Sequence, residues 1–114
     1  MKTRHVFQPG DMIKIDFDPR AGHQQAAWHP ALVISEAAYN QRSNLALVCP
    51  ITSQVKGYPF EVPLPQSCRV HGVVLADQVK SADLKARYAK YVGPAPLQVL
   101  NAVRAYVALL IDVK

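Results

Sequence analysis

The chain has 114 residues, half of them hydrophobic, which suits one domain (1–114) that buries a real core without disulfide or metal staples. Its 13 lysines and arginines against 8 acidic residues give a formal charge of +5, an excess that favours a polyanionic or acidic partner. No run of about 18 apolar residues is present to span a membrane, and the charged start "MKTRHVFQPG" lacks the apolar stretch of a signal peptide, so a cytoplasmic protein is expected.

"DMIKIDFD" (11–18) alternates apolar and polar residues after the "PG" turn, which predicts a strand with one buried face. "PRAGHQQAAW" (19–28) has no period and reads as a loop. "PALVISE" (30–36) is a short strand, and "AAYNQR" (37–42) is one helical turn. "LALVCPIT" (45–52) is an apolar strand in which Pro50 points to an edge or a bulge. "SQVKGYP" (53–59) is a loop, "FEVPL" (60–64) alternates, and "PQSCR" (65–69) is a turn. "VHGVVLADQV" (70–79) and "ARYAKYVG" (86–93) read as further strands. Pro94 and Pro96 then suit a helix start, and Leu97, Leu100, Val103, Val107, Leu110 and Ile111 fall at helical spacing. Five or six short strands followed by one amphipathic helix imply a mainly β fold: a small, strongly curved antiparallel sheet or barrel with a C-terminal helix packed on it. "LALVCPIT" and the apolar helix together exceed what one small sheet covers, which predicts a symmetric dimer.

No glycine-rich phosphate loop and no GxSxG motif is present. The histidines have no metal-ligand spacing and the two cysteines, Cys49 and Cys68, form no CxxC pair, so no metal or other cofactor is expected and both thiols read as inert. What remains is a set of polar residues in loops at strand ends: Gln24, Gln25, His29, Thr52, Ser53, Gln54, Lys56, Asp77, Gln78 and Lys80. Cleaving RNA without a metal needs a base for the 2′-hydroxyl, donors for the added phosphate charge and an acid for the leaving 5′-oxygen. Histidine, lysine, threonine and serine can fill those roles, but spacing alone does not separate this reaction from simple binding.

Several blocks carry a resemblance. "PGDMIKIDFDP", "AGHQQAAWHPALVIS", "AYNQ", "LVCPITSQVKGYPFEVPL" and "HGVVLADQVKSADLKAR" are similar, in order and over nearly the whole chain, to the MazF/PemK/Kid family of endoribonuclease toxins. That resemblance implies an SH3-like curved sheet with a C-terminal helix and a homodimer. It implies a type II toxin that cuts single-stranded mRNA at short motifs without metal, leaving a 2′,3′-cyclic phosphate. Its antitoxin would neutralise it through an acidic flexible tail. The net positive charge agrees with both ligands.

The family's "TS" stands here as Thr52 and Ser53, expected to bind the scissile phosphate; alone, Thr52 would read as a strand-end cap. The family's first-loop histidine matches His23, the acid opening its first strand matches Asp11, and its "DQ" matches Asp77 and Gln78. Lys56 and Lys80 are phosphate contacts or solvated lysines. Two positions depart from the pattern. His29 stands where the family usually has an arginine, and Gln24-Gln25 stands where it usually has Glu-Gln. Arginine is a permanently charged fork for phosphate, whereas histidine can take and give a proton near neutral pH. The expectation is therefore His29 as acid/base group with Thr52 and Ser53 on the phosphate. His23, Gln24, Gln25, Trp28, Lys56, Asp77, Gln78 and Lys80 are expected on RNA, Trp28 by stacking on bases. Two alternatives stay open: a weakened module that binds RNA and antitoxin, and a gyrase poison on the same scaffold.

Overall fold

The computed structural model describes residues 6–16 and 28–112. In chain order these form β1 (Asp11–Asp16), β2 (Trp28–Val33), α1 (Ala37–Ser43), β3 (Leu45–Thr52), β4 (Glu61–Pro63), β5 (Val73–Leu75), a 3-10 turn (Ala76–Gln78), β6 (Lys80–Asp83), β7 (Lys90–Pro94) and α2 (Leu97–Leu110). The strands lie in the order β4-β5-β3-β2-β1-β7, all neighbours antiparallel, and β6 joins the same edge of β3 that β5 uses. The expected mainly β architecture with a C-terminal helix is present.

Strand β1 departs from the one-sided pattern. Met12 packs in one apolar cluster with Leu32, Cys49 and Ile51, while Ile13 and Ile15 pack in a second with Ala31, Val33 and Val48. Successive side chains point to opposite faces, so β1, β2 and β3 are covered on both. Helix α2 closes the first face through Val99, Leu100 and Val103, and Ala82, Leu84 and Phe7 close the second. Even Asp16 is fully buried.

Pro50 sits neither on an edge nor at a bulge, because β3 is the centre of the sheet. Its Leu45–Val48 stretch pairs with β6 and its Ile51–Thr52 stretch pairs with β5. Cys49 and Pro50 fall in the gap between those partners, where a residue without an N–H costs no ladder bond on that edge. The 70–79 run is broken as well. Gly72 (φ +121°) precedes a three-residue strand, and the chain then turns at Ala76–Gln78. Strand β6 lies where no strand was expected. Residues 86–89 are turn rather than strand, closed by Ala86 N donating to Asp83 Oδ1 (2.9 Å) and by Tyr88 at φ 55°.

Helix α1 spans two turns and ends at Asn44, whose left-handed backbone donates to Asn40 O. Helix α2 begins directly after Pro96, as the prolines indicated. Its middle is buried, but Leu97, Leu109 and Ile111 are exposed at its ends. Arg104 ties it to the sheet, donating from Nε (2.9 Å) and Nη2 (2.7 Å) to Ile34 O. Phe60 meets Tyr106 edge to face at 5.4 Å between ring centres. The apolar "LALVCPIT" run is largely buried within the single chain, and the exposed apolar surface lies at the ends of α2 and at Leu47, Val55, Tyr58, Tyr88 and Tyr91 among others.

Candidate functional site

One face of the β3–β4–β5 corner carries the polar groups. Val62, Val74 and Ile51 are in register and point into the core, so Glu61, Leu75 and Thr52 point the other way. They line a cavity of about 200 Å3 together with Gln54, Lys56, Tyr58, Asp77 and Gln78. Thr52, Gln54, Lys56, Asp77 and Gln78, five of the residues singled out from sequence, thus converge from three separate segments. A larger cavity of about 410 Å3 lies between α1 and the β6–β7 turn, lined by Asn40, Gln41 and Lys85 among others, and contains none of them.

Thr52 ends β3 half-buried, and its Oγ1 accepts a hydrogen bond from Gln54 N at 3.1 Å. With that lone pair engaged by the backbone, the hydroxyl proton remains available to donate outward, as a phosphate oxygen would require. Gly72 makes this geometry possible. A Cβ on it would stand 2.0 Å from Thr52 O and 3.0 Å from Ser53 Cα, so the two chains approach this closely only because no side chain is there. A glycine in the middle of an apolar strand pattern is the sequence signal for such an approach.

The loop 53–60 is held by Glu61. Its carboxylate accepts from Lys56 N (3.1 Å) and Gly57 N (3.0 Å), and Glu61 N donates to Tyr58 O (3.1 Å). Lys56 Nζ lies 5.9 Å from the Tyr58 ring centre, within cation–π range. Tyr58, Glu61 and Gly72 were not among the residues expected to make the site. Beneath it, burial pushes the Cys49 thiol up to about 12, with the Asp77 charge adding to the rise, which makes it an inert neutral thiol at ordinary pH.

His29 is exposed on β2 opposite Ile15. The β2–β3 register sets Ala31 across from Pro50. His29 and Thr52 each lie two residues beyond that last pair, and strand alternation puts both on the face of Ala31 and Pro50. Trp28, one residue earlier, faces the other way by strand alternation, and Lys90 Nζ lies 5.0 Å from its ring centre. Ser53 is exposed beside Thr52 but outside the cavity wall, and Lys80 begins β6 opposite Val48, also away from it. Asp11 closes the turn before β1, its Oδ2 accepting from Gln8 N at 2.9 Å. His23, Gln24 and Gln25 lie outside the described residues. Among the described residues no three His, Cys, Asp or Glu side chains converge on a point a metal could occupy.

Comparison with known proteins agrees with this picture. Residues 8–111 match the model of a family described as PemK-like, MazF-like toxin of type II toxin–antitoxin system. The chain is 44% identical over 111 residues to the endoribonuclease toxin MazF of Escherichia coli (strain K12), covering 97% of this chain and 99% of that protein. It is 32% identical over 107 residues to the Escherichia coli endoribonuclease PemK, covering 90% and 80%. Among solved structures, a crystal structure of MazE-MazF from Deinococcus radiodurans matches at TM-score 0.87 and 40% identity, covering 97% of this chain and all of that one. No helix among the described residues is long and apolar enough to cross a membrane.

Proposed function

The chain belongs to the family of PemK-like, MazF-like toxins of type II toxin–antitoxin systems, and from that premise we propose that it is a sequence-specific endoribonuclease. In this reading it acts without metal on single-stranded mRNA in the cytoplasm and leaves a 2′,3′-cyclic phosphate. The observation that supports it best is the meeting of Thr52, Lys56, Asp77 and Gln78 around one cavity, with His29 on the same face of the neighbouring strand β2.

The scissile phosphate sits at Thr52, whose hydroxyl donates to a non-bridging oxygen with Ser53 beside it, while Lys56 holds the bound strand through a neighbouring phosphate. The neutral imidazole of His29 takes the 2′-hydroxyl proton as that oxygen attacks phosphorus. The same imidazole, now protonated, gives the proton to the departing 5′-oxygen. Asp77 and Gln78 present acceptor and amide groups to base edges, and bases flanking the cut stack on aromatic side chains. His23, Gln24 and Gln25 complete the RNA path, and Trp28 and Lys80, which lie away from the cavity, meet only RNA that extends beyond it.

The whole chain forms the single toxin domain, a small SH3-like barrel that pairs as a homodimer through apolar surface left exposed by the monomer. The MazE-MazF complexes of Deinococcus radiodurans support a cognate antitoxin as partner. An acidic flexible tail would compete with RNA for this chain of net charge +5.

The test is single-turnover cleavage of a long single-stranded RNA with EDTA present, wild type beside His29→Ala and His29→Arg. Wild type is expected to cut, and His29→Ala to cut roughly 100-fold more slowly or worse. An alanine variant as fast as wild type removes His29 from the chemistry. An inert wild type that gains cleavage with His29→Arg would mean a disarmed toxin that only binds. Sedimentation at micromolar concentration is expected to give twice the 12.6 kDa chain mass.

A further inference from the structure

The loop 53–60 presents Gln54, Lys56 and Tyr58 to the cavity, yet little packing holds it. Val55 and Tyr58 are 64% and 60% exposed, and a Cβ on Gly57 would meet nothing within 4 Å. Among the described residues, its backbone is fixed at four places: Gln54 N on Thr52 Oγ1, Lys56 N and Gly57 N on the Glu61 carboxylate, Glu61 N on Tyr58 O, and, at its far end, Ala76 N on Phe60 O. Two of those bonds end on one side chain. Glu61 is itself well seated, because it opens β4 opposite Leu75, and Phe60 before it packs on Tyr106 of α2.

An acidic group lining a groove for a polyanion is out of place unless its charge is spent elsewhere. Here both carboxylate oxygens face backbone N–H groups, so the charge strengthens two hydrogen bonds. We propose that Glu61 is a positioning residue for RNA binding: by tying the backbone at Lys56 and Gly57 to β4, it holds the Lys56 ammonium and the Tyr58 ring at the cavity mouth. This rests on the reading of the cavity as an RNA site. Glu61 touches neither phosphate nor base and acts through Lys56 and Tyr58. Glutamine cannot replace it. An amide has one acceptor oxygen, and its NH2 would confront the second backbone N–H as donor against donor.

The experiment compares wild type, Glu61→Gln, Gly57→Ala and Lys56→Ala on long single-stranded RNA, with hydrogen exchange of the Gly57 amide and trypsin cleavage after Lys56 measured alongside. Gly57→Ala attacks the same tie from its other end. Its φ of +79° disfavours any side chain, although the space around it is open. Both tie variants are expected to raise KM about tenfold with kcat within about twofold, since Thr52 and His29 are untouched. Both are expected to speed Gly57 exchange and cutting at Lys56, while amides of β1 and β2 stay protected. On the Lys56→Ala background, Glu61→Gln is expected to add less than about twofold, because what it positions is gone.

An unchanged KM in Glu61→Gln overturns the proposal, as does an equal loss in kcat with the core amides opened, which marks a folding role. A full additional effect on the Lys56→Ala background also overturns it. If wild type cuts no RNA, the endoribonuclease reading falls instead. Filter binding of the same RNA then decides Glu61 alone: weaker retention of both tie variants supports positioning, and equal retention ends it.

Discussion

The two ends of β3 live in different surroundings. From Leu45 to Val48 the strand pairs with β6, with β2 joining on the other edge at Val48, and Ala46 and Val48 are wholly buried in the second apolar cluster. From Ile51 to Thr52 it runs beside the three-residue strand β5, and Thr52 opens on a cavity walled by a loop and a 3-10 turn. The first end carries no group with a chemical role. The second carries a hydroxyl, and a lysine, two amides and two carboxylates are gathered around it. One strand thus spans packed interior and functional lip, and the interior sets the coordinates of the lip. Local stability should differ in the same sense, high where both faces are covered and low along 53–60.

Where the two regions meet, a single substitution should damage both. Gly72→Val forces a branched side chain into a backbone at φ +121° and against Thr52 O. It is expected to cost more than about 4 kcal/mol in urea unfolding and to abolish cleavage. A variant with wild-type stability would mean that the close approach at Thr52 is not needed. In the interior proper, Ile13→Ala empties a site that is fully buried, at a cost of about 3 kcal/mol. The fraction still folded at low temperature should cut RNA with wild-type KM and kcat. A loss of activity beyond the loss of folded protein would show that the two regions are not separable.

The core was more legible in the sequence than the site, and for a physical reason. Apolar runs such as "PALVIS" and "LALVCPIT" and the spaced apolar residues of the last helix announce themselves because burial is what they are for. Strand β6 did not, since "KSAD" buries only Ala82 and takes its place by pairing with β3, a tertiary event with no local pattern. The one-sided reading of β1 failed because the chain wraps over both faces, which alternation within one strand does not reveal. In the site, Thr52, Lys56, Asp77 and Gln78 were named by resemblance and do meet in space. Gly72 and Glu61 escaped because they act on backbone: one by lacking a side chain, the other by accepting backbone N–H groups.

Cys49 lies between the two ends of β3 and gives a weaker probe of their boundary. Its thiol is raised in the fold from an ordinary 9.0 to about 12. The folded state therefore holds the proton more tightly than the unfolded chain. Its contribution is fully present below pH 9 and is lost as pH rises from 9 towards 12. Stability measured across that window should fall more steeply in wild type than in Cys49→Ala. Equal slopes would mean that Cys49 ionises as freely in the fold as out of it.

The smallest effect on stability should accompany a large effect on chemistry. Thr52→Val keeps the shape of the side chain, and the Gln54 N–H it abandons is at an exposed residue where water can replace the hydroxyl. Stability should shift by no more than about 0.5 kcal/mol. The donor aimed at the phosphate is nevertheless gone, and kcat should fall roughly 100-fold. Thr52→Ser keeps an Oγ that can accept from Gln54 N and donate to phosphate, so it should recover most of the rate. Loss with valine and recovery with serine would locate the function in the hydroxyl rather than in the packing. A valine variant that cut RNA at the wild-type rate would leave Thr52 as no more than the last residue of a well-packed strand.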